Sequence, residues 1–218
     1  MGRRLRLLAA CLLLAGGIGA PALLAAGTAG ATACGTAIAA GTACTLTGTA
    51  TLDAGSLTLA APGSLTWSAT LSGLDQHLVD PTDTTYTVDD ATGSGVGWHV
   101  AVSATQFTAG AQTLANAGTV VNTGSTSSVT ATTAPAASCH AGATCTLPAD
   151  GTTYPVAITT AATSPGSYTI YDTAAGTGLG EITIGGGGNL VGWWVNVPAS
   201  SSAGAYTSTF TLEIVSAP

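Results

Sequence analysis

Residues 96–102 read VGWHVAV. Val96, Trp98, Val100 and Val102 fall on one parity, and Gly97, His99 and Ala101 on the other. Side chains alternate across a strand, so this run presents one apolar face. The same parity recurs along the chain. Leu65, Trp67, Ala69 and Leu71 align within 64–71, and Val191, Trp193, Val195 and Val197 within 190–197. Near the end, Tyr206, Phe210, Leu212 and Ile214 share a face opposite Thr207, Thr209, Thr211, Glu213 and Val215. Weaker strands are expected at 46–52, 86–88, 128–132, 154–159, 168–171 and 181–184. Gly, Pro, Asp, Asn and Ser separate these runs, and no heptad or helical stripe follows residue 33. The segments 110–124 and 132–138 read as loose connections, and Gly185–Gly188 as a flexible turn. One apolar face and one Thr-rich face predict antiparallel sheets packed face to face. The expected fold is all-β: a single-domain antiparallel β-sandwich, Ig-like in outline, over residues 34–218.

The first 33 residues differ from the rest. Arg3, Arg4 and Arg6 precede an apolar stretch from Leu7 to about Ile18, and small residues then lead to Ala31-Thr32-Ala33. This pattern predicts a secretory signal peptide, residues 1–33, removed after Ala33. The apolar core is shorter than the roughly 20 residues a membrane span needs. The mature form is therefore expected to have no stable membrane span and to be secreted. These three Arg are the only Lys or Arg in the chain, against ten Asp and Glu. A cationless acidic chain is a poor partner for nucleic acid, because nothing neutralises phosphate. For the same reason Gly185–Gly188 is not a phosphate cradle.

Beyond the leader remain Cys34, Cys44, Cys139 and Cys145. An even number in an exported chain predicts two disulfides. Three connectivities are open, and the local pairs Cys34–Cys44 and Cys139–Cys145 are the simplest. Cys139-His140 with Cys145 lacks the doubled spacing of a zinc site. No cofactor and no resident metal are expected.

Trp193 and Trp194 are strand neighbours and must point to opposite faces. Parity places Trp193 inside and Trp194 outside, so Trp194 and Asn196 are the candidate ligand contacts, with loop coverage of Trp194 as the competing reading. Asp75, Asp80, Asp83, Asp89 and Asp90 form the densest acidic stretch. They read as solvated turn residues, with calcium as the alternative. His77, near Asp75 and Asp80, is the only acid–base grouping, and no HExxH or GxSxG is present. The chain is not expected to be an enzyme.

The tail YTSTFTLEIVSAP (206–218) resembles the C-terminal motif of WxL-domain cell-surface proteins of Gram-positive bacteria, Y-x-x-x-L-T-W-x-L-x-x-x-P. Tyr206, Thr211 and Pro218 match identically. Phe210, Leu212 and Ile214 stand for Leu, Trp and Leu. The upstream Trp-x-Leu motif is matched by Trp98-His99-Val100 after Gly93, Gly95 and Gly97. The resemblance runs from about Leu46 to Pro218. It implies non-covalent attachment to the peptidoglycan cell wall, with peptidoglycan or another wall glycan as partner, together with other surface proteins. The alternative is a secreted structural or adhesive sandwich, calcium-stabilised, that does not bind wall. The motif positions Trp98, Val100, Tyr206, Phe210, Thr211, Leu212, Ile214 and Pro218 are read as core rather than as ligand contacts.

Overall fold

The computed structural model describes residues 32–34, 37, 39–41 and 43–216. The expected leader therefore lies outside the described residues, apart from Thr32 and Ala33. No described residue is helical. The chain divides into two compact units between Thr51 and Leu52. In the first, β1 (Thr32–Ala33) and β2 (Cys44–Thr45) form a short parallel pair. The Cys34–Cys44 disulfide closes it, with Cα atoms 5.1 Å apart. The expected strand at 46–52 does not form: its residues are exposed and unpaired.

The second unit holds thirteen strands. These are β3 (Leu57–Ala60), β4 (Gln76–Val79), β5 (Tyr86–Asp90), β6 (Trp98–Ala104), β7 (Thr108–Ala109) and β8 (Gln112–Thr113). Then follow β9 (Val120–Thr123), β10 (Ala137–Cys139), β11 (Val156–Ile158), β12 (Tyr168–Asp172), β13 (Gly180–Ile184), β14 (Gly192–Val197) and β15 (Phe210–Ser216). Two four-stranded sheets run β10-β13-β5-β3 and β11-β9-β14-β4, a three-stranded sheet runs β12-β6-β15, and β7-β8 is a small hairpin. Every pairing among these strands is antiparallel. The inner faces of the three larger sheets close on one apolar core, drawn from β5, β6, β9, β11, β12, β13 and β14. The architecture is the expected all-β sandwich.

The alternation that predicted the strands is the alternation that fills the core. Trp98, Val100, Val102 and Ala104 are fully buried, as are Ile182 and Ile184 of β13. Val191, just before β14, and Trp193 and Val195 within it are buried as well. Gly97 shows why the strand needs glycine before its Trp. Its φ is +88°, and a Cβ there would lie 2.5 Å from the Thr173 carbonyl oxygen. A side chain would meet both backbone strain and a clash.

Other local expectations fail as well. The first concerns residues 110–124, which carry β9, a buried strand inside a sheet. Polar Asn122 and Thr123 disguise it, and Thr123 Oγ1 finds its acceptor at Ser125 O, 2.8 Å away. Likewise, 132–138 contains part of β10, while 128–132 forms no strand. The last is 64–71, which alternates well yet pairs with no strand. Leu65 and Trp67 still pack on the core, but polar ties replace the ladder. The Thr66 N–H donates to Asp80 Oδ2 at 2.5 Å, and the Trp67 indole N–H to Trp193 O at 2.9 Å.

Cys139 and Cys145 form the second local disulfide, with Cα atoms 5.5 Å apart, beside β10.

Candidate functional site

The two stretches that carried the resemblance are neighbours in one sheet. β6 and β15 pair antiparallel with Val100 opposite Ile214, Val102 opposite Leu212 and Ala104 opposite Phe210. Apolar residues of both strands therefore meet on the inner face as cross-strand pairs.

Trp98 is fully buried. Its indole N–H donates to Gly178 O at 2.8 Å, and its ring stacks on Tyr171 with centroids 5.9 Å apart. The Trp98 backbone is tied again by Thr173, whose hydroxyl accepts from Trp98 N–H at 2.9 Å and lies 3.0 Å from Trp98 O. Trp98 and Val100 are thus structural centres of the sheet. The tail is different. Tyr206, Phe210, Leu212 and Ile214 are only half-buried, and Thr211 is exposed. β15 is one of the two edge strands of its sheet and pairs only with β6. Thr211 lies on the outward parity. Pro218 lies outside the described residues.

Of the two readings of Trp194, loop coverage is the one the structure shows, and the solvent-facing one is corrected. Trp194 does lie on the face opposite Trp193, but it is only 6% exposed. The loop after β9 covers it, and its indole N–H donates to Ser125 O at 2.9 Å, with Thr123 Oγ1 at 3.2 Å. Asn196 is half-buried and fully engaged. Its Nδ2 donates to Gly118 O at 2.6 Å, and its Oδ1 lies 2.6 Å from His77 Nδ1. Neither side chain is free for a ligand.

The acidic stretch does not converge. Asp75 Oδ1 accepts from Ala199 N–H at 2.8 Å, and Asp90 Oδ1 accepts from the Thr92 hydroxyl at 2.6 Å. Among the described residues, no three His, Cys, Asp or Glu side chains gather as a metal site would. His77 turns to Asn196, so the grouping with Asp75 and Asp80 does not form. Asp80 is fully buried. Burial works against its ionisation, yet N–H groups of Thr66, Asp83 and Thr82 and the Thr82 hydroxyl together hold its carboxyl below the ordinary 3.8. The resulting carboxylate clamps the unpaired 64–67 segment onto the turn after β4.

That clamp shapes a feature not foreseen from local patterns. A groove of about 500 Å³ runs between residues 62–67 and the tail. Trp67, Tyr206 and Phe210 line it as half-buried aromatic rings, with Phe107 and Trp193 buried among the lining. Trp67 and Phe210 have centroids 5.8 Å apart, and Phe107 lies 5.9 Å from Trp67 and 6.0 Å from Phe210. Trp193 packs edge-on to Phe210 at 6.4 Å. No Asp, Glu or His lines the groove. Ser64, Thr66, Thr207 and Thr209 lie along it exposed, and their hydroxyls bond to no described residue. The Trp193 indole N–H is buried without an acceptor. The sequence signal was the tail itself, whose Tyr206 and Phe210 form part of the groove lining while still touching the core.

No helix among the described residues is long and apolar enough to cross a membrane. No curated protein and no solved structure matches the chain. A family model described as WxL domain surface cell wall-binding matches residues 45–218, which span both paired motif strands and the groove. The chain belongs to the WxL-domain family of surface, cell wall-binding proteins.

Proposed function

We propose that this protein is exported and attaches non-covalently to the peptidoglycan of a Gram-positive cell wall, without catalysing a reaction. The observation that carries the reading is the family match over residues 45–218. The chemistry agrees with it. The described residues contain no Lys or Arg, so attachment through an anionic polymer has no cation to use. The uncharged aromatic groove instead suits a ligand held by stacking and hydrogen bonds. No His lies in an HExxH run and no Ser in a GxSxG run; His140 meets Glu181 at 3.4 Å on the surface, and His99 lies opposite Asp172 on the neighbouring strand. Other surface proteins remain partners that the folded sandwich, once fixed to the wall, would present or recruit.

The test is co-sedimentation of the purified protein with isolated cell walls, with and without added calcium. Binding that saturates and survives about 0.5 M salt is expected, because screening weakens charge-driven adhesion but not stacking. Protein that stays in the supernatant under all these conditions refutes the proposal.

A further inference from the structure

We propose that the groove between residues 62–67 and the tail is a binding site for neutral N-acetylated sugars of the peptidoglycan glycan strand. This rests on the wall-attachment reading above and adds a site and a ligand class to it.

The volume, about 500 Å³, falls within the roughly 300–1,000 Å³ of small-ligand sites. A docking protein would need a far larger buried surface. Charge decides the class of ligand. The lining carries no ionisable acid or base apart from the Tyr206 phenol. A charged ligand entering it would lose water with no counter-charge in return. That disfavours the charged ends of stem peptides and the phosphates of wall polyanions. The net charge of −7, which includes all three Arg, opposes the polyanions further.

A neutral pyranose matches what is present. Its C–H face is apolar, and Trp67, Tyr206 and Phe210 supply partly exposed rings to receive it. Its hydroxyls need donors and acceptors at the rim. The free hydroxyls of Ser64, Thr66, Thr207 and Thr209 provide both. The acetamido group adds a methyl, suited to the apolar lining, and a carbonyl acceptor. Trp193 is among the lining residues, and its indole N–H is one of three buried side-chain polar atoms without a partner among the described residues. The acetamido carbonyl can accept from the exposed rim hydroxyls.

The clamp described above also belongs to this site. Asp80 fixes Thr66, and Trp193 O fixes the Trp67 indole, so one side of the groove is held before ligand arrives. Preorganisation of this kind reduces the ordering that binding must impose.

The experiment titrates the full protein with the tetramer of N-acetylglucosamine, the corresponding glucose tetramer and a free stem peptide, following tryptophan emission and calorimetric heat. The acetylated tetramer is expected to bind, the glucose tetramer at least about tenfold more weakly, and the stem peptide not at all. Thr209→Glu places a charge at the exposed rim without touching the core, and Trp67→Ala removes the stacking ring. Each is expected to weaken sugar binding by about tenfold or more. Thr209→Glu guards against the case in which Trp67→Ala fails to fold. Equal binding of both tetramers, or unchanged binding by Thr209→Glu, overturns the assignment. Wall co-sedimentation with no sugar binding also overturns it, and leaves wall attachment standing. Loss of both brings down the wall-attachment reading as well.

Discussion

Trp98 stands where the family motif has its Trp, and its surroundings make a quantitative prediction. Trp98→Phe keeps an aromatic ring over Tyr171 but removes the indole N–H that reaches Gly178 O at 2.8 Å. Gly178 is itself buried, so its carbonyl is left without that donor. An orphaned buried acceptor costs about 1–3 kcal/mol. The two lost ring carbons add about 1.5 kcal/mol, at roughly 0.8 kcal/mol per buried carbon. The sum, about 2.5–4.5 kcal/mol, is a large part of the roughly 5–15 kcal/mol that holds a domain folded, yet leaves the variant native in buffer. With a urea slope of about 2 kcal/mol per molar, the unfolding midpoint should fall by about 1.3–2.3 M. Folded Trp98→Phe protein should still sediment with walls as the wild type does, because Trp98 is fully buried and touches no solvent. A midpoint shift below about 0.5 M refutes the argument for the Gly178 bond. Loss of wall binding by a variant of wild-type stability refutes the conclusion that Trp98 acts through the fold.

Three further outcomes are expected. Asp80 has a folded-state pKa below its ordinary 3.8, so its contribution is complete above that pH and is lost as the pH falls through the lower folded value. Asp80→Asn leaves only one acceptor oxygen for donors on two sides, should cost about 2 kcal/mol at pH 7, and should flatten the acid limb of a stability–pH curve. An unchanged acid limb excludes the clamp. Reducing Cys139–Cys145, which closes a separation of six residues, should lower unfolding free energy by about 2 kcal/mol in the chain-entropy account, read from chemical unfolding of the Cys139→Ser/Cys145→Ser variant. Trp194→Phe removes the N–H held by Ser125 O, so thermal stability should drop while wall binding by the folded protein is unchanged. Weakened binding at full stability would restore Trp194 as a contact.

Much of the sandwich was legible because strand alternation is local. β6, β13, β14 and β15 each show their inner face in a handful of consecutive residues. β9 was not legible, since Asn122 and Thr123 look like turn residues and their burial depends on partners beyond the segment. The reverse error occurred at 64–71. The pattern was right, but the Thr66 N–H is spent on Asp80 and no strand lies alongside. Trp194 shows the limit of parity most clearly. Alternation correctly assigned its face and carried no information about the loop that covers that face.

By itself, then, the sequence determined the all-β class and the core parity of Trp98, Val100 and Trp193, and made the local disulfide pairs the simplest of three connectivities. All of these depend on residues close in the chain or on the two-residue period of the pleat. Tertiary structure alone decided which strands sit at an edge and that Tyr206, Phe210, Leu212 and Ile214 are half-covered. It alone also brought Trp67, Phe107, Trp193 and Phe210 into one uncharged groove. Those residues lie on segments far apart in sequence, joined by a buried carboxylate and a backbone carbonyl. No local period encodes a meeting of that kind, because it depends on how whole sheets close on one another.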